Sequence, residues 1–317
     1  MSGAREIKSR VNSIQSTRKV TKAMQMVSTA KMRRAVNEVT HIRPYAHGAW
    51  SILANLSRAV KASRNALLEK REVKKVLIIL ITSNRGLCGG FNTKISKMFS
   101  LYLKDVHSLK RVGKMKNEKE QTKEKIRVDV LSVGKKGEKM ALSHGLDLIA
   151  SFSDLMHTPS FEESRSVANM VIEGFEKKEY DKVCVMYTDY VSSLVQQTKV
   201  RQILPLDVEE FEKQLAEMDT LAKEYSMPEK PFEYTIEPSP EKVLEVLIPS
   251  LIRTMVYHMV LESNASKEAS RMIAMKNATD AAGEIADELT LVYNRVRQSK
   301  ITQEIAEISA GRAALEE

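Results

Sequence analysis

The sequence predicts an α/β fold, with a small Rossmann-like α/β domain inserted between two long terminal helices that form an antiparallel coiled coil. Three observations predict it. Residues 3–43 hold no proline and repeat apolar side chains on a helical period. Val76–Ile81 opens a central region in which strands alternate with helices. Ser250–Leu315 is again free of proline over its whole length.

The first helix carries a heptad seam of Ile7, Val11 and Ile14, continued by Thr21, Ser28, Met32, Ala35, Val39 and Ile42. Arg18 and Gln25 interrupt it where apolar residues are expected. Val20, Met24 and Val27 form a second, slightly rotated stripe. Pro44 permits a kink, and helical character resumes through Trp50, Leu53, Leu56 and Val60, so residues 1–65 are assigned to this element.

Residues 73–208 form the central domain. Val76–Ile81 is a continuous apolar run before a Gly-rich turn, the pattern of a strand buried on both faces. Asn92–Val106, Lys135–Ser143 and Glu162–Phe175 read as helices. Ile126–Val133 and Val183–Tyr187 read as further strands, with one or two antiparallel edge strands in Ser193–Leu204. Residues 107–125 are lysine-rich with almost no apolar side chains, the composition of a mobile loop.

Residues 209–240 are a polar connector ending in Pro228, Pro231, Pro238 and Pro240, and residues 241–317 form the last helix. From Ser250 to Leu315 it would extend roughly 100 Å at the ordinary helical rise. Ile285, Leu289, Val292 and Val296 make one stripe, and Ile301, Ile305 and Ile308 make another, offset in phase. Between Ala265 and Ala286 small side chains dominate, which permits close backbone approach but buries little apolar area. The first helix enters the central domain by its C-terminal end and the last leaves by its N-terminal end. If they pair, they are antiparallel and make a two-helix rod. Its weak seam suits a rod sheathed by partners.

Composition narrows the function. Two cysteines, Cys88 and Cys184, lie far apart without metal-ligand spacing, and six histidines are scattered. The N-terminus lacks the apolar core of a secretory signal, and Val76–Ile81, the longest apolar run, is too short to span a bilayer. The net charge of +9 concentrates in residues 1–43, with ten Lys/Arg against two Glu, and in residues 108–125, with seven against three. A basic arm suits nucleic acid, anionic lipid or an acidic protein surface, and charge alone does not choose.

Ser83–Asn92 (SNRGLCGGFN) follows the strongest strand and precedes a helix. Such a turn can cradle phosphate, yet this one lacks the Lys-Ser/Thr ending of a P-loop and dinucleotide spacing. A tight turn presenting a surface is the favoured reading. Cys88 beside Arg85 has no His or acid nearby in sequence to complete a catalytic set. The basic residues of the first helix fall all round it, with no aromatic ladder for base stacking. No catalytic residue, cofactor or metal is assigned.

Three separated blocks carry a family resemblance. The first is Ile14–Val27 (IQSTRKVTKAMQMV) with Ala30–Ala35 (AKMRRA), and the second is Arg85–Asn92 (RGLCGGFN). The third runs from Arg271–Met275 (RMIAM) through Ala278-Thr279 and Tyr293–Gln298 (YNRVRQ) to Ile301–Ile305 (ITQEI). In order and spacing they resemble the gamma subunits of F-type ATP synthases, and together they cover both ends and the centre of the chain.

The resemblance implies a central rotor shaft that is not itself a catalyst. Its terminal helices would thread a ring of three alpha and three beta subunits, and its α/β body would sit on the membrane c-ring beside the epsilon subunit. Lys22, Met24 and Met26 match family positions facing acidic lever loops of beta. Arg85, Gly86 and Cys88 match a second such contact, and Arg297, Gln298, Thr302 and Glu304 match ring contacts near the top of the shaft. The start resembles bacterial members, which implies a peripheral place on the cytoplasmic face of the bacterial membrane, without insertion into it and without nucleic acid. Asn84 stands where the family usually has Asp, Lys267 where it has Glu, and Arg312 where a small residue is common. A nucleic-acid-binding coiled-coil protein is the rival reading, and an α/β enzyme with helical arms is the next.

Overall fold

The computed structural model describes residues 2–59, 65–105, 126–207, 237 and 239–316. The loop at 107–125 and nearly all of the connector at 209–240 lie outside the described residues. Five helices are described: α1 (Ser2–Ala59), α2 (Phe91–Lys104), α3 (Lys135–Ser143), α4 (Phe161–Glu176) and α5 (Pro240–Glu316). Five strands are described: β1 (Lys75–Ile81), β2 (Arg127–Val133), β3 (Asp147–Phe152), β4 (Lys182–Tyr190) and β5 (Gln196–Leu204). The chain forms two compact units, one of residues 31–270 and one joining residues 1–30 to 271–317.

The larger unit is built on one sheet of order β3-β2-β1-β4-β5, parallel except for antiparallel β5. Strand β1 is central, and its alternate side chains enter two different cores. Leu77, Ile79 and Ile81 meet α4 and the stretch of α5 from Leu244 to Val260. Val76, Ile78 and Leu80 meet Phe91, Ile95 and Phe99 of α2 and Ala141 of α3. Burial on both faces is what a continuous run of branched aliphatics serves. Reversal of strand order between β1 and β4 puts α2 and α3 on one side of the sheet and α4 and α5 on the other.

One expectation is corrected here. Strand β3, an edge of the sheet, is not expected from the sequence, because only alternate residues of Asp147–Phe152 are half-buried and no apolar run marks it. Helix α5 spans Pro240–Glu316, against 241–317 expected, and runs through Pro249. Leu244, Ile248, Leu251 and Ile252 bury one face of this first segment against the sheet, which outweighs the single backbone bond that a proline removes. The same segment accounts for a second point. Helix α5 is long and apolar enough to pass a length-and-composition test for a membrane span, but half of the relevant window is packed inside the protein.

In the smaller unit the two terminal helices pack side by side. Arg18 lies against Gly283, where an added Cβ would meet its guanidinium carbon at 3.1 Å, and Thr279 Oγ1 lies 2.8 Å from Thr21 Oγ1. Advancing on α1 from 18 to 21 moves the partner back from 283 to 279, so the pairing is antiparallel. Val11, Ser28, Ala282 and Ala286 are buried along it. In the larger unit the seam continues with buried Met32, Ala35 and Val39.

Candidate partner-contact site

The small side chains of α5 permit the close approach of the two helices, and Gly283 leaves room for Arg18 to lie across the helix. The cost is a narrow apolar seam. Val20, Met26 and Val27 of α1 remain exposed, Met26 at 63%. On α5, Ile285, Leu291 and Val292 are exposed too. Beyond residue 300 the pairing extrapolates past the start of α1, and every residue from Ile301 to Ala310 is exposed, with Ile308 at 73%. Exposed aliphatics along both helices mark a surface suited to apolar partners.

The expected contact residues of α1 do not share one face. Lys22 and Met26, four residues apart, project together into solvent, whereas Met24 is half-buried toward the other side. Lys22, Arg33 and Arg34 are exposed and make no ion pair among the described residues. On α5, Arg297 and Glu304 are two turns apart on one side, and Gln298 and Thr302 lie on another. The Thr302 hydroxyl donates to Gln298 O at 3.0 Å, and Glu304 lies 3.7 Å from Lys300. All four are exposed.

The turn between β1 and α2 stands at the C-terminal end of the sheet where strand order reverses, the usual ligand crevice of such folds. The residues after β1 are tied to the start of α3, beside β2. The amides of Lys135, Lys136 and Gly137, which open α3, donate to Asn84 Oδ1 (3.1 Å), Ser83 O (3.1 Å) and Thr82 Oγ1 (2.7 Å). A Cβ on Gly137 would fall 2.5 Å from Ser132 Oγ, and one on Gly134 would fall 2.3 Å from Thr82 O. No donor of this helix end is left for a phosphate.

Asn92 holds the turn from its far side, accepting from Ser83 N at 3.2 Å and donating to Ser83 Oγ at 2.7 Å and Cys88 Sγ at 3.2 Å. Asn84 Nδ2 donates to Ser153 O at 2.7 Å, a bond that an ionised Asp there would lack a proton to make. These ties push the apex outward. Arg85, Gly86 and Leu87 are exposed, with Leu87 at 63% in the left-handed region at φ 61°. The Cys88 side chain is 2% exposed and anchors the turn from within. Leu87, passed over as a contact, takes the outward place. Its positive φ was not legible from residue type.

Met32, Met255, Met259 and Met275 are core residues, and Met26 is surface. Among the described residues no group of three His, Cys, Asp or Glu is arranged to hold a metal ion.

Known proteins resemble the chain over its whole length. The family model described as ATP synthase matches residues 3–315. The ATP synthase gamma chain of Roseiflexus castenholzii is 37% identical over 319 residues, covering 100% of both chains. That of Haemophilus influenzae strain Rd is 36% identical over 315 residues, covering 99% of this chain and 100% of the relative. Among solved structures, a chain of the Euglena gracilis mitochondrial ATP synthase (OSCP/F1/c-ring) superposes with a TM-score of 0.61 at 19% identity, covering 98% of this chain and 94% of that one. A chain of the Tetrahymena thermophila mitochondrial ATP synthase central stalk and c-ring gives 0.54 at 24% identity, with 82% and 99% covered. With full-length similarity above a third identity, a matching family model and the same paired-helix fold, this chain belongs to the ATP synthase gamma chain family.

Proposed function

We propose that this chain is the central rotor shaft of an F-type ATP synthase and couples ion flow through a membrane ring to ATP synthesis by turning inside a catalytic ring. The observation that carries the reading is the antiparallel α1–α5 pair with exposed aliphatics along both helices and a bare α5 end. A shaft that turns needs outward surfaces that slide. Small buried residues keep the pair narrow, and exposed Lys22, Arg33 and Arg34 are free to meet acidic loops one after another. Such exposed pairs are worth about 1 kcal/mol or less each, weak enough to form and break in every turn.

The chain is non-catalytic in this reading: its Gly-rich turn lacks the Lys-Ser/Thr ending of a P-loop, and the amides that open α3 are taken by Thr82, Ser83 and Asn84. Nucleotide chemistry belongs to a ring of three alpha and three beta subunits. Lys22, Met24, Met26, Arg85 and Gly86 contact the beta lever loops, with Leu87 beside them and Cys88 supporting from beneath. Arg297, Gln298, Thr302 and Glu304 engage the top of the ring. The α/β domain rests on the c-ring beside the epsilon subunit, peripheral to the cytoplasmic face of a bacterial membrane. Nucleic acid is not a partner.

Native mass spectrometry of the complex purified through this chain tests the reading. The expected particle holds one copy with three alpha and three beta subunits. Recovery with nucleic acid and without those subunits would overturn it. Calorimetry of the pure chain with ATP is expected to show no binding at micromolar concentration.

A further inference from the structure

Helix α5 meets the sheet in two chemically different ways. From Leu244 to Val260 it lies on the apolar core. Over the next turns, Ser263 to Ser270, the contacts become polar and all fall at the end of the sheet where β3 and β4 finish. Thr188 of β4 is held at both backbone groups: its N–H donates to Ser263 Oγ at 3.0 Å, and its carbonyl accepts from Ser266 Oγ at 3.2 Å. Lys267 Nζ donates to the carbonyl of Met156, in the turn after β3, at 2.7 Å, and to Asn264 Oδ1 at 2.6 Å. Its charge is balanced by Glu268 Oε1 at 3.2 Å, and both residues are about as buried as the apolar core, at 5% and 3% exposed. Ser270 Oγ donates to Gln196 Oε1 at the start of β5, at 3.1 Å. This belt ends at the last residue of the larger unit.

Apolar packing resists separation of a helix from a sheet but is non-directional. Hydrogen bonds are directional and lose strength steeply when bent, so they resist rotation of the helix about its own axis. A buried, charge-balanced lysine is also an expensive way to gain stability alone, since well-packed apolar residues serve as well or better. We propose that the belt centred on Lys267 is the torsional key of the rotor, the joint that fixes the angle of α5 against the α/β domain and carries torque between them. The inference rests on the rotor reading above. Lys267 is a positioning residue: it acts through Met156 and the sheet and touches no nucleotide.

The test is single-molecule rotation of the assembled catalytic ring with this chain, under a bead attached to the α/β domain through Leu142→Cys. The native thiols Cys88 and Cys184 are both buried and leave the label specific. The variant Lys267→Met/Glu268→Leu replaces both members of the ion pair with apolar side chains. A charge-assisted bond counts for roughly twice a neutral one, so the Met156 tie supplies roughly two-fifths of the belt, and its loss should raise the angular variance of the paused bead by roughly two-thirds. ATP hydrolysis should stay at the parent rate. If the double variant does not assemble, Ser266→Ala makes the same test, with a rise of roughly a quarter. Unchanged variance in the variant that assembles overturns the joint and leaves the belt as a stabilising contact. A parent bead that never turns overturns the rotor reading instead.

Discussion

Thr279 Oγ1 lies 2.8 Å from Thr21 Oγ1 and 2.7 Å from Met275 O, which compete for its one proton, and Thr21 Oγ1 donates to Arg18 O at 3.0 Å, so a hydroxyl cluster ties the two terminal helices at one level of their pairing. Thr279 is buried. Replacing it with Val keeps the shape and removes the donor, while Thr21 keeps its bond to Arg18 O. The expected cost is about 1 kcal/mol, with the Thr21→Val/Thr279→Val pair less destabilised than the sum of the two single changes. Denaturant unfolding of the four chains measures it. Strict additivity would show that the two hydroxyls do not interact.

Gly283 sits one turn further along α5, where only the flexible end of Arg18 stands near a new Cβ. Gly283→Ala should therefore displace the guanidinium and gain about 0.5–1 kcal/mol from helix propensity. A fall in thermal stability would mean that the close approach involves the backbone.

Gly134 is the opposite case. Its φ is 103°, and a Cβ would meet the carbonyl oxygen of Thr82 at 2.3 Å. Gly134→Ala should destabilise the α/β domain by more than about 1 kcal/mol, because both the conformation and the space exclude it. Native-like stability there would contradict the close fit between the start of α3 and the end of β1.

Burial, with a further contribution from the Asp129 charge, pushes the Tyr180 phenol up to about 12. The folded state thus holds the proton more tightly than the unfolded chain. Its contribution to stability is complete below pH ~10 and is lost as pH rises from there toward about 12. Unfolding curves between pH 8 and 11.5 should steepen in their pH dependence above 10, and Tyr180→Phe should flatten that slope. An equal slope in the variant would assign the alkaline loss to other groups.

How much was legible in the sequence depends on the residue. Val76–Ile81 announced a strand buried on both faces, since no other element of that length needs six consecutive aliphatics, and both cores converge on it. Lys135–Ser143 was legible to the residue. Strand β3 was not, because an edge strand needs only alternate, partial burial. Helix α5 runs through Pro249 because the apolar face from Leu244 to Ile252 packs on the sheet, a tertiary fact that local propensity does not contain. At the turn, Arg85 and Gly86 were legible as surface. The inward thiol of Cys88 was not, since it depends on where the Asn92 carboxamide points. The grouping of Lys22 with Met24 came from the family resemblance, and the helix places the two on different faces.

Met24 tests the sliding surface. It is half-buried and uncharged, so Met24→Lys places a charge beside the seam, where it can pair with an acidic loop of a surrounding ring. One strengthened pair would hold one angle and impede rotation. The complex should still assemble, with fewer protons pumped per ATP hydrolysed. Unchanged pumping per ATP would remove this position from the coupling path.

The central claim is that this chain transmits rotation. Its most direct measurement is ATP-driven acidification of inverted membrane vesicles from a bacterium deleted for its own gamma chain and supplied with this one. Restored proton pumping, with ATP hydrolysis abolished together with it by blocking the membrane ring, is the predicted result. An assembled complex that hydrolyses ATP at full rate while pumping no protons would contradict it.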